Sequence, residues 1–113
     1  MNFLEETLSD LKQNDKRPEE IEWVGSADGR FCDSWQKFYE LANFEYDAGY
    51  GWQEIPVDIV IVGDNWWMER SEYDGSECWE FKELPKPKKD AIVLLKLREK
   101  KKGWYDLEEC HGR

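Results

Sequence analysis

VDIVIVGDNWWMERSEYDGSECWEFKE, residues 57–83, decides the fold. Val57 to Val62 is a near-continuous apolar run broken only by Asp58, the pattern of an interior strand covered on both faces over part of its length. Pro56 stands just ahead of it, where a missing N–H does least harm to a ladder. Gly63-Asp64-Asn65 reads as a hairpin turn and Trp66 to Glu72 as the next strand. Tyr73-Asp74-Gly75-Ser76 then contains Asp-Gly, the strongest short-range hairpin signal, and Glu77 to Glu83 returns.

With Asp74-Gly75 as a two-residue loop, the register is fixed: Ser71 opposite Cys78, Arg70 opposite Trp79, Glu69 opposite Glu80, Met68 opposite Phe81, Trp67 opposite Lys82. One face gathers Trp66, Met68, Trp79 and Phe81, with Arg70 near its end, and is expected to bury against the second of two helices. The other face shows Trp67 with Lys82, Glu69 with Glu80, and Ser71 with Cys78. Glu69–Glu80 and Glu72–Glu77 face each other as like charges, each pair costing a few tenths of a kcal/mol or more relative to neutral residues.

Outward from this centre, Trp35, Phe38, Tyr39, Ala42 and Tyr46 recur at helical spacing, so a helix is expected over 33–47, with Asp33 as N-cap and Gln36 in capping-box position. Aromatics at this spacing usually serve a core. Gly49 and Gly51 are expected to stop the helix. Residues 20–24 alternate as a short strand, with Ile21, Trp23 and Gly25 on one side and Glu20, Glu22 and Val24 on the other, and 25–29 form a turn. Residues 2–13 carry a narrow stripe of Leu4, Leu8 and Leu11 behind an Asn2 cap, the signature of a helix lying on the surface of the rest. Pro85 to Lys89 is a stiff basic connector. Ala91 to Leu97 is apolar and ambiguous between helix and strand, with Ile92 and Val93 favouring a strand. Arg98 to Lys102 is a charged run, and Glu108 to Arg113 reads as a frayed end. The expected fold is α+β: an antiparallel sheet of four or five strands centred on 57–83, the 33–47 helix packed on one face, and a shorter N-terminal helix at an edge or flank. The 113 residues are expected to form a single domain, with 85–113 an appended strand and tail.

Composition narrows the function. Residues 1–84 hold 21 acidic and 7 basic side chains, net −14, whereas 85–113 hold 5 acidic and 9 basic, net +4. An acidic body repels nucleic acids and anionic membranes, so a macromolecular partner met electrostatically should be a basic protein. The plainer reading is that charge keeps an aromatic-rich chain soluble. Cys32, Cys78 and Cys110 form no CxxC pair, and an odd count argues against a disulfide framework. No leader of signal type opens the chain and no apolar run approaches the ~20 residues of a membrane helix, so a cytoplasmic location is expected.

The combination Trp67-x-Glu69-Arg70, then Glu72-Tyr73-Asp74-Gly75-Ser76-Glu77 and Trp79-Glu80, together with Tyr50-Gly51 and Glu54-Ile55, resembles a family of short uncharacterised phage and prophage proteins of Gram-positive bacteria. The likeness covers roughly residues 50–83. Where that family carries a doubled tryptophan after the turn, this chain has Cys78-Trp79. The resemblance implies a phage accessory setting in a bacterial host cell, with no activity and no catalytic residues attached.

Three constellations are candidates for chemistry. Carboxylates at Asp64, Glu69, Glu72, Asp74, Glu77 and Glu80 on a rigid ribbon imitate phosphate spacing and suit a basic groove; the alternative is a solvated strand face. Trp52, Trp67 and Trp104 are candidates for a stacking platform for sugar or peptide, against the reading of half-buried aromatics at sheet edges. Glu69 and Glu80 at cross-strand distance also raise a hydrolase using paired carboxylates. His111 beside Cys110 lacks further ligands for zinc, no serine has a histidine to activate it, and no nucleotide-binding glycine motif occurs, so neither metal nor cofactor is expected. The expectation is a non-enzymatic phage inhibitor of a basic, nucleic-acid-handling host protein or nucleoprotein complex, of anti-CRISPR or other anti-defence type, making no direct contact with nucleic acid. The alternatives are a carbohydrate- or peptide-binding module and the carboxylate-pair hydrolase.

Overall fold

The computed structural model describes residues 1–49, 52–98 and 103–111; Tyr50, Gly51, most of the charged run 98–102 and the last two residues lie outside that description. Helix α1 spans Phe3–Gln13, strand β1 Ile21–Ser26, strand β2 Cys32–Asp33 and helix α2 Trp35–Leu41. Strands β3 (Ile59–Gly63), β4 (Trp66–Tyr73) and β5 (Ser76–Glu83) follow, then a single helical turn, α3, at Leu107–Cys110. The strands make one antiparallel sheet in the order β2-β1-β3-β4-β5, so the α+β expectation holds with five strands.

The β4–β5 register is the one Asp74-Gly75 imposes, from Tyr73 opposite Ser76 to Trp66 opposite Glu83. Asp74 and Gly75 both take positive φ, at 53° and 85°, as a two-residue turn of this hand requires. At the β3–β4 turn Asn65 takes the left-handed conformation (φ 68°).

The inner face of the sheet carries the cross-strand row Val24, Ile61, Met68 and Phe81, flanked by Trp66 and Trp79. It is α1, and not the second helix, that covers the hairpin. Phe3 stacks on Trp79 with ring centroids 5.6 Å apart, and the Trp79 indole N–H donates to Thr7 Oγ1 at 2.9 Å. Phe3, Leu4, Thr7 and Leu11 are buried while Leu8 is exposed, so α1 lies at the centre of the core. The Leu4/Leu8/Leu11 stripe mistook its width, because the buried face also includes a phenylalanine and a threonine. Asn2 caps this helix as expected, accepting from Glu5 N–H at 3.0 Å.

Helix α2 is shorter than the aromatic periodicity suggests. Ser34, not Asp33, caps it, accepting from Lys37 N–H at 3.1 Å, because Asp33 is held in β2 opposite Val24. It ends at Leu41, and the chain turns to hand carbonyls to the start of α1: Phe3 N–H donates to Phe44 O at 2.9 Å and Leu4 N–H to Ala42 O at 3.0 Å. Those are orphan donors of a helix N-terminus, so the loop after α2 completes α1. Tyr46 is buried from this loop, and Tyr39 remains exposed.

Strand β1 corrects a facing. A bulge between Ile21 and Trp23 shifts the alternation, so Val24 points into the core and Trp23 to the outer face, the reverse of a regular strand. Strand β1 also runs through Gly25 to Ser26, which the sequence reading placed in the turn.

Residues 84–98 form neither strand nor helix, so the expected strand at 91–97 is absent: no neighbouring strand offers it a ladder. The frayed end is instead partly ordered as α3, where Asp106 and Glu109 make a reciprocal capping box. The radius of gyration, 18.4 Å, exceeds the ~13 Å of a compact chain of this length, as an arm projecting from the body requires.

Candidate outer-face binding site

Helices α1 and α2 pack on the inner face, and the outer face is assembled from cross-strand rows. Trp23 (β1) is opposite Val62 (β3), Val62 opposite Trp67 (β4), and Trp67 opposite Lys82 (β5). The adjacent row is Gly25, Val60, Glu69 and Glu80. Two indoles on the outer strands of a three-strand stretch, over a valine floor, frame a cavity of about 330 Å³ that Val57, Asp58 and Glu69 also line. The Trp67 indole N–H donates to Glu69 Oε1 at 2.7 Å, which orients both the ring and the carboxylate. Lys82 Nζ lies 3.9 Å from Glu69 Oε2 and 3.9 Å from Glu80 Oε1. The like-charge pair is thereby relieved by a lysine one step along the strand, which the direct cross-strand pairing does not show.

The other carboxylates do not share this face. Side-chain parity puts Glu77 on the inner face with Trp79 and Phe81, where it is 4% exposed. Its inclusion in an exposed acidic face is corrected accordingly. Glu77 Oε1 accepts from Arg70 Nη2 at 3.1 Å, and its carboxylate takes the backbone N–H groups of Glu54 (2.8 Å) and Ile55 (3.3 Å). Glu72 is directly opposite Glu77 but bends to the turn, accepting from Gly75 N–H at 2.5 Å. Asp74 is exposed in that turn, and Asp64 is exposed in the turn at the other end of β4. Among the six carboxylates, then, Glu69 and Glu80 alone stand side by side on the outer ladder.

Arg70 is the centre of a buried ionic group that sequence reasoning missed. Its guanidinium also reaches Glu6 Oε2 (3.4 Å) and Tyr46 Oη (3.1 Å), and it lies 4.9 Å from the Trp79 ring and 5.2 Å from Phe3. Tyr46 donates a short hydrogen bond to Glu6. Burial, then that bond to Glu6, pushes the phenol up to about 12. Burial works against the Arg70 charge, but Tyr46, Glu6 and Glu77 outweigh it and the guanidinium is held above its ordinary value. Burial and neighbouring Glu6 raise the Asp10 carboxyl. The Arg70 and Glu77 side chains are only 1% and 3% exposed, so this group bolts α1, Tyr46, the Glu54 and Ile55 backbone and the hairpin together, out of reach of a ligand. Its signal in the sequence was the parity of the hairpin, which sets Arg70 and Glu77 on the same face as Trp79.

The three candidate tryptophans are not gathered. Trp67 belongs to the outer-face cavity, whereas Trp52 and Trp104 stand fully exposed and neither lines it. The aromatic that does join Trp67 is Trp23, hidden from the sequence by the bulge in β1. Cys32 and Cys78 are exposed free thiols, Cys110 is buried, and burial raises the Cys78 thiol. Among the described residues, no three His, Cys, Asp or Glu side chains converge to hold a metal ion, and no helix is long and apolar enough to cross a membrane.

Compared with known protein families, with curated proteins and with solved structures, the chain matches none.

Proposed function

We propose that this chain is a non-enzymatic binding protein that docks on a basic, nucleic-acid-handling surface of another protein and blocks it, using the outer face of its sheet. The observation that carries the reading is the Trp23–Val62–Trp67 row lying against the Glu69–Glu80 pair. An Arg or Lys side chain laid on an indole gains a cation–π contact of about 0.5–2 kcal/mol, and the adjacent carboxylate completes a charge-assisted bond. The Trp67–Glu69 hydrogen bond pre-orients both groups, so less side-chain freedom is lost on docking. The net −14 of residues 1–84 steers a basic partner toward this surface.

The placement of the carboxylates narrows the mode. With Glu77 turned inward and Lys82 between Glu69 and Glu80, the face suits recognition of individual Arg or Lys side chains better than imitation of a run of phosphates. In the phage setting that the resemblance implies, the partner is a nuclease or nucleoprotein complex of the bacterial host, and the protein an anti-CRISPR or similar anti-defence inhibitor acting in the cytoplasm.

The test is affinity capture from a Gram-positive host lysate at low and high salt, with the wild type and with Trp67→Ala and Glu69→Gln. Salt-sensitive capture of a nucleic-acid-handling protein, lost in both variants and kept in Trp52→Ala, is expected. Capture indifferent to these substitutions, or no partner at any salt, refutes the reading. Quenching of tryptophan fluorescence by a neutral glycan, abolished by Trp67→Ala, would replace it with a carbohydrate-binding module.

A further inference from the structure

The outer-face cavity joins aromatic walls to an acidic rim. Trp23 on β1 and Trp67 on β4 share a row with Val62 between them, so two strand spacings, about 9.5 Å, separate the chains that carry the indoles. That gap admits a single flat group resting about 3.5 Å from each ring, above the Val62 floor. Both tryptophans are half-buried, so part of each ring stays open to a ligand. The rim holds Glu69 and Asp58. Glu69 Oε1 accepts from the Trp67 indole N–H at 2.7 Å, whereas Lys82 Nζ stands 3.9 Å from Glu69 Oε2, beyond hydrogen-bond distance. Asp58 is exposed, and among the described residues its carboxylate has no hydrogen bond or ion pair.

We propose that this cavity takes one arginine side chain of a protein partner, its guanidinium stacked on the indoles and its N–H groups on the Glu69 carboxylate. The inference rests on the reading of the outer face as a docking site and names what that site selects. Arginine answers both parts of the cavity better than lysine. A guanidinium is flat and weakly hydrated, and it stacks on an aromatic face while its forked N–H groups reach a carboxylate at the edge. An ammonium is compact and strongly hydrated, so it gives up more water for the same contact. The Trp67–Glu69 hydrogen bond sets ring and carboxylate in place before the ligand arrives. A neutral flat group would leave Glu69 Oε2 and Asp58 unanswered, and nucleobases come with phosphates that the net −14 of residues 1–84 repels. Lys82 is the chain's own competitor. It lies 3.9 Å from both Glu69 and Glu80 with its side chain 43% exposed, a weak pair that gives way to water when a guanidinium binds.

The experiment is a titration of the full chain followed by its indole N–H signals in NMR spectra. The probes are three capped tripeptides with arginine, lysine or citrulline between two glycines; citrulline keeps the shape of arginine without the charge. The arginine peptide is expected to shift the Trp23 and Trp67 signals and to bind at least about fivefold more tightly than the other two. Trp23→Ala or Trp67→Ala should weaken it about 3- to 30-fold, with urea midpoints verifying that each variant folds. Lys82→Met should tighten it about two- to fivefold, and Lys12→Met, the same change of charge on α1, should not. Equal affinity for the lysine or citrulline peptide, no saturable shift of either indole, or equal effects of the two lysine substitutions overturns the proposal; the peptide comparison needs no variant. If capture from lysate still depends on Trp67 and Glu69 while the arginine peptide shows no preference, the docking face stands and the arginine site alone falls. An arginine preference beside capture indifferent to Trp67→Ala supports the site and sinks the docking reading.

Discussion

Replacing Glu77 with glutamine removes one charge from the buried group around Arg70 and leaves the shape nearly unchanged. The Arg70 and Glu77 side chains are 1% and 3% exposed, so the guanidinium cannot recover the lost interaction from water. Glu6 remains as a counter-ion, but its contact is longer (3.4 Å against 3.1 Å) and it is shared with Tyr46. Breaking one side of a buried ion pair costs about 3–5 kcal/mol. The amide oxygen can still accept from Glu54 or Ile55 N–H and a second counter-ion survives, so Glu77→Gln falls at the low end, about 3 kcal/mol. For a chain of this length that lowers Tm by roughly 12–18 °C. The companion is Arg70→Met, which leaves Glu77 and Glu6 buried without their cation and should cost at least as much. The double variant removes both charges and should lose less than the sum of the two by more than about 1 kcal/mol, as coupled partners do. Urea unfolding followed by fluorescence is the assay, since Trp79 lies against both Arg70 and Thr7. If Glu77→Gln costs under about 1 kcal/mol, or the two losses add, then the group is not the bolt described here and the coupling argument fails.

Two further outcomes follow from single contacts. Tyr46 has its phenol pushed up from 10.0 to about 12 by burial and by its bond to Glu6, so between those values the folded chain keeps a proton that the unfolded chain has lost. Stability from this group is therefore complete below pH 10 and falls as pH rises toward 12, by at most roughly 2 kcal/mol; Tyr46→Phe should flatten that decline in urea midpoints measured across the window, and equal slopes in the two proteins would refute it. A Cβ at Gly25 would lie 1.9 Å from the Phe31 carbonyl oxygen across the β1–β2 turn, a backbone atom that cannot step aside. Gly25→Ala should cost about 2–3 kcal/mol by thermal melting, against a change within about 0.5 kcal/mol for exposed Glu22→Ala.

The hairpin was legible because its information is local. Asp74-Gly75 demands positive φ at two adjacent positions, few turns satisfy that, and once the turn is set the period of two assigns each side chain from Trp66 to Glu83 a face. That rule already places Glu77 with Trp79, so its exposure was misread through counting charges where parity should have decided. The helices were legible as elements but not in their roles. Nothing in NFLEETLSDLKQ says that Thr7 will receive a bond from Trp79 or that Glu6 will reach Arg70, because those partners are 72 and 64 residues away. The end of α2 at Leu41 was illegible for a related reason: Ala42 and Phe44 carbonyls are drawn off to the first turn of α1. For the outer face, the missing information is a single irregular step. Trp23 changes side through a bulge at Ile21–Trp23, and a regular alternation gives the opposite answer.

That bulge bears on whether the outer face is a site or an accident of leftover aromatics. In a regular β1 continued from Ile21, Trp23 would enter the core and Val24 would face out. The core as it stands closes on Val24, with Ile61 and Met68 beside it fully buried. The bulge therefore explains why Trp23 is kept out, but it does not explain a tryptophan at the position. A polar residue on the outer face would satisfy the fold as well, and exposed Glu22 next to it shows that charge is tolerated on this strand. The same holds for Trp67, whose indole N–H is engaged by Glu69 and not by any core group. Two indoles that the core does not require, in register across one valine and next to an oriented carboxylate, are costly to leave against water. Arg70 and Glu77 account for themselves by what they hold together, whereas Trp23 and Trp67 are what the proposed docking face would use.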